Sequence, residues 1–382
     1  MNSEELPLDE QLEQLAAGIT MHLLLEPPEL KDKLLPPQLR VVKGPPGINN
    51  YCIPKSNVAN IIMMGADVYK FFHHFTRAAA AYFLQSEPGG TRPSPFWPAA
   101  CKAVANTLDW MSSPAKAPRY LQFELSPRQS QIANAFAAYT FRFALCHEMA
   151  HIILGHLESK NTARRTVSGE DVEFLRASQQ QEFEADQVGL TIQMRSLPNF
   201  SQAEVALASS IYFVHITALL DARLMLLAHL VDVYHWKIAL THPPYLARMF
   251  TLSRQAEGLY SGGADGLMKV HESLQAVQSE IFDTANRQQD AVVEAATKLV
   301  NEVKQNSGIT KENIPAKVRD ELLRLFDQSP CGVMRVLEPQ SETAETGDEA
   351  RSIVVERLVS LLPDEFQRFH LLSKAERASE IA

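Results

Sequence analysis

The sequence is short of cysteine, of positive charge and of long apolar runs. Its 382 residues include only 4 cysteines. Cys52, Cys101, Cys146 and Cys331 are scattered without the paired spacing of a disulfide framework, which points to reduced thiols in a cytoplasmic compartment. Lysine and arginine number 36 against 45 aspartates and glutamates, a formal net charge of -9. That balance argues against a nucleic-acid or anionic-membrane surface as the main partner, and no basic patch interleaved with aromatics offsets it. The start, Met1-Asn2-Ser3-Glu4-Glu5, is acidic and lacks the basic and apolar regions of a signal peptide. The longest uncharged apolar stretch, residues 205–220, contains Ser209, Ser210 and His215 and runs straight into Asp221 and Arg223. It falls short of the roughly 20 residues a membrane span needs and reads as a buried helix, so no stable membrane insertion is expected.

What is present is the composition of an ordinary globular chain, 46% hydrophobic and 21% charged, long enough to bury a sizeable core. Within it, His147-Glu148-Met149-Ala150-His151 is the most informative run. On a helix, positions i and i+4 share a face, so His147 and His151 can present ring nitrogens to one metal ion. Glu148 sits about 100° round from His147, beside the metal, where a general base for an activated water belongs. Apolar flanks, Ala144-Leu145-Cys146 and Ile152-Ile153-Leu154, make this a buried helix with its polar groups confined to the motif. Buried imidazoles and a carboxylate must be satisfied, and a metal ion satisfies several at once. The pattern points to a zinc-dependent peptidase; the competing reading is a pair of hydrogen-bonded core histidines beside a structural glutamate. Cys146, about 100° from its neighbour, is read as core.

The surrounding chain reads as mainly α. Residues 1–85 look mostly helical, interrupted by a turn-rich stretch from Pro36-Pro37 to Pro54, with a long helix expected over residues 58–84 and its His73-His74 pair read as packing. Residues 119–125 alternate polar and apolar side chains and are the best strand candidate. Ser126 and Pro127 then have the chemistry of an N-cap and first helical position, for a helix running through the motif to about Leu157. Residues 265–306 and 353–372 carry amphipathic helical patterns, separated by an acidic, flexible stretch at 338–349. The expected organisation is a helical region over 1–98, a metallopeptidase core over 99–258 and a helical region over 259–382.

A catalytic zinc needs a third protein ligand and keeps a fourth position for water. Downstream stands Gln181-Glu182-Phe183-Glu184-Ala185-Asp186-Gln187-Val188-Gly189. Glu182 and Asp186, four apart on one helix face, can divide two tasks: one binds metal, the other accepts the remaining ring proton of a ligand histidine. Glu184 points elsewhere and ranks lower.

These residues carry a resemblance. The run from Leu145 to His156 resembles the active-site helix of the HtpX-type and CAAX-prenyl-protease-type gluzincins. Glu182-Phe183-Glu184-Ala185-Asp186 is similar to that family's Glu-aromatic-x-Ala-Asp motif, and Thr241-His242-Pro243-Pro244 with Arg248 is similar to its later His-Pro-Pro…Arg segment. Together these motifs cover about residues 140–250. The resemblance implies a zincin-like core, to which the patterns above add a small β element before the motif helix and helical N- and C-terminal extensions. It implies Zn2+ held by His147, His151 and Glu182, Glu148 as the base, and Asp186 orienting a ligand histidine. His242 would lie near the cleft, as an oxyanion partner or as part of a structural turn. His156 would support the site or face the cleft, and Arg248 would pair with a site carboxylate or with substrate.

The family's membrane-embedded members have several spanning helices, which this sequence does not show, and the spacing from His151 to Glu182 is short. Two soluble groups are more distantly similar: the ImmA/IrrE-type regulators, in which an Asn stands where Asp186 stands here, and the Lit-type proteases. The expected activity is metal-dependent endopeptidase cleavage of a specific intracellular protein or peptide. The alternative is a metal-stabilised regulatory protein without turnover, its C-terminal helices binding a partner.

Overall fold

The structure, a computed structural model, describes residues 8–23, 25–35, 38–43, 51–56, 59–83, 96–111, 119–158, 162–167, 170–175, 178–227, 243–305, 314–337, 356 and 358–362. Over these the chain is mainly helical with two small β elements. In order come α1 (Leu8–His22), the single turn α2 (Glu29–Asp32), strands β1 (Leu39–Lys43), β2 (Tyr51–Ser56) and β3 (Ala59–Met64), then α3 (Val68–Phe83), α4 (Trp97–Met111) and α5 (Pro127–Ile153). The hairpin β4 (Thr162–Val167) and β5 (Glu170–Leu175) precedes α6 (Gln179–Arg195) and α7 (Ala203–Leu227). Last are α8 (Tyr245–Leu259), α9 (Gly263–Gln305), α10 (Ala316–Gln328) and α11 (Pro330–Leu337).

The chain divides into two compact units. The first comprises Met1–Trp97, Glu124–Leu219 and Leu240–Gln278. Its sheet has the order β1-β3-β2, with β1 parallel and β2 antiparallel to the central β3. Pro54 lies in the edge strand β2, where a missing N–H removes no central ladder bond, and the register shifts between Ile53 and Ser56. Strand β3 replaces the start of the helix expected over 58–84. Ile61-Ile62-Met63-Met64 is a continuous apolar run whose periodicity does not separate strand from helix. The chain turns at Gly65, whose carbonyl accepts from the Val68 amide at 3.1 Å, and α3 starts there. α3 buries Phe71, Phe72, Phe75 and a run of alanines, and packs on α5. On it, His73 Nε2 meets Asn134 Oδ1 at 2.8 Å and His74 is buried.

α5 begins where the sequence says it should. The Ser126 hydroxyl accepts from the Gln129 amide, the Gln129 side chain takes the Ser126 amide at 2.9 Å, and Pro127 fills the first helical position. Residues 119–125, in contrast, form no strand. Alternation alone needs a partner edge, and the Arg119 carbonyl is instead taken by the Thr107 hydroxyl at 2.9 Å. The β element before α5 is therefore the earlier three-stranded sheet.

The second unit comprises Pro98–Phe123, Leu220–Ala239 and Ser279–Ala382. Its core gathers Trp110, Val292, Leu299, Leu325, Phe326, Val333 and Leu337, with Trp110 and Phe326 edge-to-face at 5.6 Å. A buried Arg223–Asp109 ion pair crosses it, and Asn286 accepts a second Arg223 N–H at 2.9 Å. The long helix expected over 265–306 is α9. Most of the pattern at 353–372, and all of 338–349, lies outside the described residues.

Among the described residues one helical segment, Ala203–Arg223, is long and apolar enough to cross a membrane, and 78% of its most apolar window is buried within the protein. The buried reading of residues 205–220 fits that packing.

Candidate metal centre

Two helices make the site, and each is built to approach the other closely. From residue 143 to residue 153 every position of α5 is buried except Glu148. Such a helix has no solvent face, so its polar groups must be met by neighbouring protein. α6 supplies them. Its N-terminus is fixed by a second capping box, with Ser178 accepting from the Gln181 amide and Gln181 Oε1 accepting from the Ser178 amide at 2.8 Å. Glu182, Ala185, Asp186 and Gly189 then recur with the i, i+3, i+4, i+7 spacing of one face. Gly189 sets the helix separation: a Cβ there would lie 3.0 Å from His147 Cα and 3.1 Å from His147 N. Only a glycine lets α6 come this near, and that proximity brings Glu182 and Asp186 to the motif histidines.

The result is a buried group, His147, His151 and Glu182, whose ligand atoms all lie within 4.8 Å of one another. The two ring Nε2 atoms are 3.3 Å apart. Glu182 Oε2 stands 3.2 Å from His147 Nε2, and its Oε1 stands 3.7 Å from His151 Nε2. At metal–ligand lengths near 2.0–2.2 Å, a tetrahedral ion separates its ligand atoms by about 3.3–3.5 Å. The donor set and its spacing fit a metal ion: three groups aim at one point, whereas a shared proton needs only two.

Without an ion the same contacts hold a proton. Burial works against charge on His147, but the hydrogen bonds its ring N–H groups donate to Asp186 and Glu182 outweigh it and raise the pKa to about 10. His151, with burial the largest influence, is pushed down to about 3 and stays neutral. Cys146 is wholly buried and its thiol is pushed up to about 12, so it is an inert core side chain rather than a ligand.

Each motif histidine has its second nitrogen occupied. His147 Nδ1 lies 3.0 Å from Asp186 Oδ1. Asp186 is completely buried, and burial alone would raise its pKa; the Arg248 guanidinium overrides this and holds the carboxyl below the ordinary range. Arg248 Nε and Nη2 donate to the two Asp186 oxygens at 2.7 and 2.8 Å, a bidentate pair, and Nη1 donates to Thr217 Oγ1 at 3.3 Å. Of the two roles open to Arg248, this is the carboxylate-pairing one. His151 Nδ1 meets His156 Nδ1 at 2.8 Å, and His156 Nε2 meets Glu184 Oε2 at 3.1 Å. Phe213 of α7 packs on the His147 ring at 5.7 Å and under the Arg248 guanidinium at 5.5 Å, closing the apolar side.

The structure thus brings together His147, His151, Glu182, Asp186 and Arg248, with Glu148 next to His147 on α5, while His242 lies outside the described residues. Sequence reading ranked Glu184 low and passed over Phe213, Thr217 and Gly189. The glycine seven residues after Glu182 was the readable signal for the close helix contact. Nothing in sequence marks Phe213 or Thr217, which reach the site only through the packing of α7.

The model of the family described as Peptidase U49 matches residues 98–261. That interval contains every residue of the group above. No curated protein and no solved structure matches the chain. Over its middle, the chain is similar to a peptidase family and carries a buried His147-His151-Glu182 group that could hold a metal ion.

Proposed function

We propose that the protein is a zinc-dependent endopeptidase of gluzincin type, with His147, His151 and Glu182 as metal ligands. One observation carries this reading. The three donors converge at tetrahedral spacing, and Glu148, beside them, is the one half-exposed side chain between residues 143 and 153. In this reading its carboxylate lies beside the metal position and faces arriving substrate, the place of a general base. When bound, zinc supplies Lewis acidity: it acidifies a water toward a pKa of about 7 and polarises a carbonyl. The chain's own groups do the rest. A Glu148 carboxylate oxygen accepts the water's proton as the new C–O bond forms, then delivers it to the amine as the C–N bond breaks. Asp186 holds His147 in the tautomer that turns Nε2 inward, and Arg248 holds Asp186. His242 as oxyanion partner rests on the His-Pro-Pro resemblance alone.

The substrate in this reading is a protein or peptide, cleaved in a reducing cytoplasm. The buried free thiols of Cys101, Cys146 and Cys331 support that compartment. Glu148→Gln keeps size and hydrogen bonding but removes the base. It should bind as much zinc as the wild type, measured by elemental analysis, and should generate no new N-termini when terminal-amine labelling is applied to a treated lysate. Cleavage at wild-type rate would remove Glu148 from the mechanism. Bound zinc with no cleavage by the wild type, together with a stable complex, would favour a metal-stabilised interaction protein instead.

A further inference from the structure

The second nitrogens of the two ligand histidines are held in unlike ways. His147 leans on a buried carboxylate clamped by arginine. His151 leans on another histidine, and the distances define that contact. The Nε2 atoms of His147 and His151, at 3.3 Å, are spaced as two ligands of one ion. The Nδ1 atoms of His151 and His156, at 2.8 Å, are at direct hydrogen-bond distance. One of these two nitrogens carries the proton and the other accepts it. If His151 is to turn an Nε2 lone pair inward, its Nδ1 must be the donor and His156 Nδ1 the acceptor. His156 Nε2 must then carry the hydrogen, and it faces Glu184 Oε2 at 3.1 Å, an acceptor. The chain of protons has one consistent direction, and Glu184 ends it.

Local structure builds this arrangement. α5 stops at Leu154, and Gly155 takes φ 71°, a left-handed turn that brings His156 back against His151 from five residues on. Glu184 stands on α6 two residues after Glu182, about 200° round the helix, and Gln180 Nε2 donates to its Oε1 at 2.8 Å, fixing the carboxylate with Oε2 toward His156. His156 is buried while the Glu184 side chain is 42% exposed, so the last member of the line reaches solvent.

We propose that Glu184, acting through His156, is a positioning residue for His151: it fixes the His156 tautomer, which fixes His151 with its Nε2 lone pair toward His147 and Glu182. This rests on the metal-ligand reading above. The bland alternative is a solvated helix carboxylate, which would leave the metal site indifferent to Glu184.

Zinc affinity of the full chain, measured by competition with a chromogenic chelator, separates them. Glu184→Ala and His156→Ala should each weaken zinc binding by about tenfold to a hundredfold. The double variant should bind no more weakly than His156→Ala alone, because Glu184 acts only through that ring. Glu184→Gln, which keeps a carbonyl acceptor, should stay within about threefold of wild type. Wild-type affinity in Glu184→Ala, or fully additive losses in the double variant, overturns the proposal. So does a lowered melting temperature of metal-free Glu184→Ala with unchanged zinc affinity, which marks a purely structural role. A wild-type chain that binds no zinc overturns the metal reading itself.

Discussion

Arg248 and Asp186 show how much of the site depends on one buried charge being answered. Asp186 has no solvent contact and Arg248 almost none, so removing Arg248 strips the buried carboxylate of its bidentate partner and leaves only the single His147 contact at 3.0 Å. Arg248→Met should lower unfolding free energy in urea by about 3–5 kcal/mol. Arg248→Lys should recover only part of that, since an ammonium cannot take both carboxylate oxygens in the guanidinium's planar fork. Equal stability of the methionine variant and the wild type would show that Asp186 is neutral. At this scale sequence reading was strong where chemistry is local. The His-Glu-x-x-His spacing and the Glu182–Asp186 pairing were legible because both depend only on helical periodicity. The partner of Arg248 was not, because 62 residues separate it from Asp186 and only the fold joins them.

Helix α5 was legible at its start, since Ser126 followed by Pro127 is a local signal that tertiary packing did not override, whereas the capping Ser178 of α6 was not read from the sequence. Strands β1 to β3 were not, because a short apolar run does not choose between periods and a parallel β1–β3 pairing is a non-local event. The α5–α6 contact yields its own prediction. Gly189→Ala would put a methyl 3.0 Å from the His147 backbone, which backbone cannot yield cheaply. A loss of about 1–3 kcal/mol in stability is expected, together with weaker zinc binding as α6 is pushed away. Gly155→Ala should cost about 1 kcal/mol through its left-handed φ alone. Thermal melts and chelator titrations distinguish the two: the first variant should fail both, whereas an unchanged zinc titration for Gly189→Ala would mean the helices do not need this approach.

For the molecule as a whole, a second histidine group away from the motif adds to the acid sensitivity that buried His151 already confers. His215 is completely buried in α7, its Nδ1 2.7 Å from Gln278 Oε1 and its Nε2 2.9 Å from His271 Nδ1, with the Tyr245 ring 6.1 Å away. Burial is the main cause of a pKa pushed down to about 4, from an ordinary 6.5. The unfolded chain binds this proton first, so stability is complete above about pH 6.5 and falls as pH drops toward 4, by about 3 kcal/mol in all. Melting temperature should decline across that window and decline less steeply in His215→Gln; parallel curves would show that another group governs the loss. The two compact units were less legible than the helices that build them. Their boundaries at 219/220 and 278/279 fall inside α7 and α9, where no turn residue or change of composition marks them.

On the ligand set proposed above, α5 carries two of the ligands and α6 the third, so a bound ion would add a further tie between two helices already packed on one another. Whatever binds the folded state and not the unfolded one adds to stability by mass action, about 4 kcal/mol when free metal exceeds its dissociation constant a thousandfold. Chelation should therefore lower the melting temperature without unfolding the chain at room temperature. Without an ion, the protonated His147 ring bridges Glu182 and Asp186, so a proton holds the same seam that a metal would.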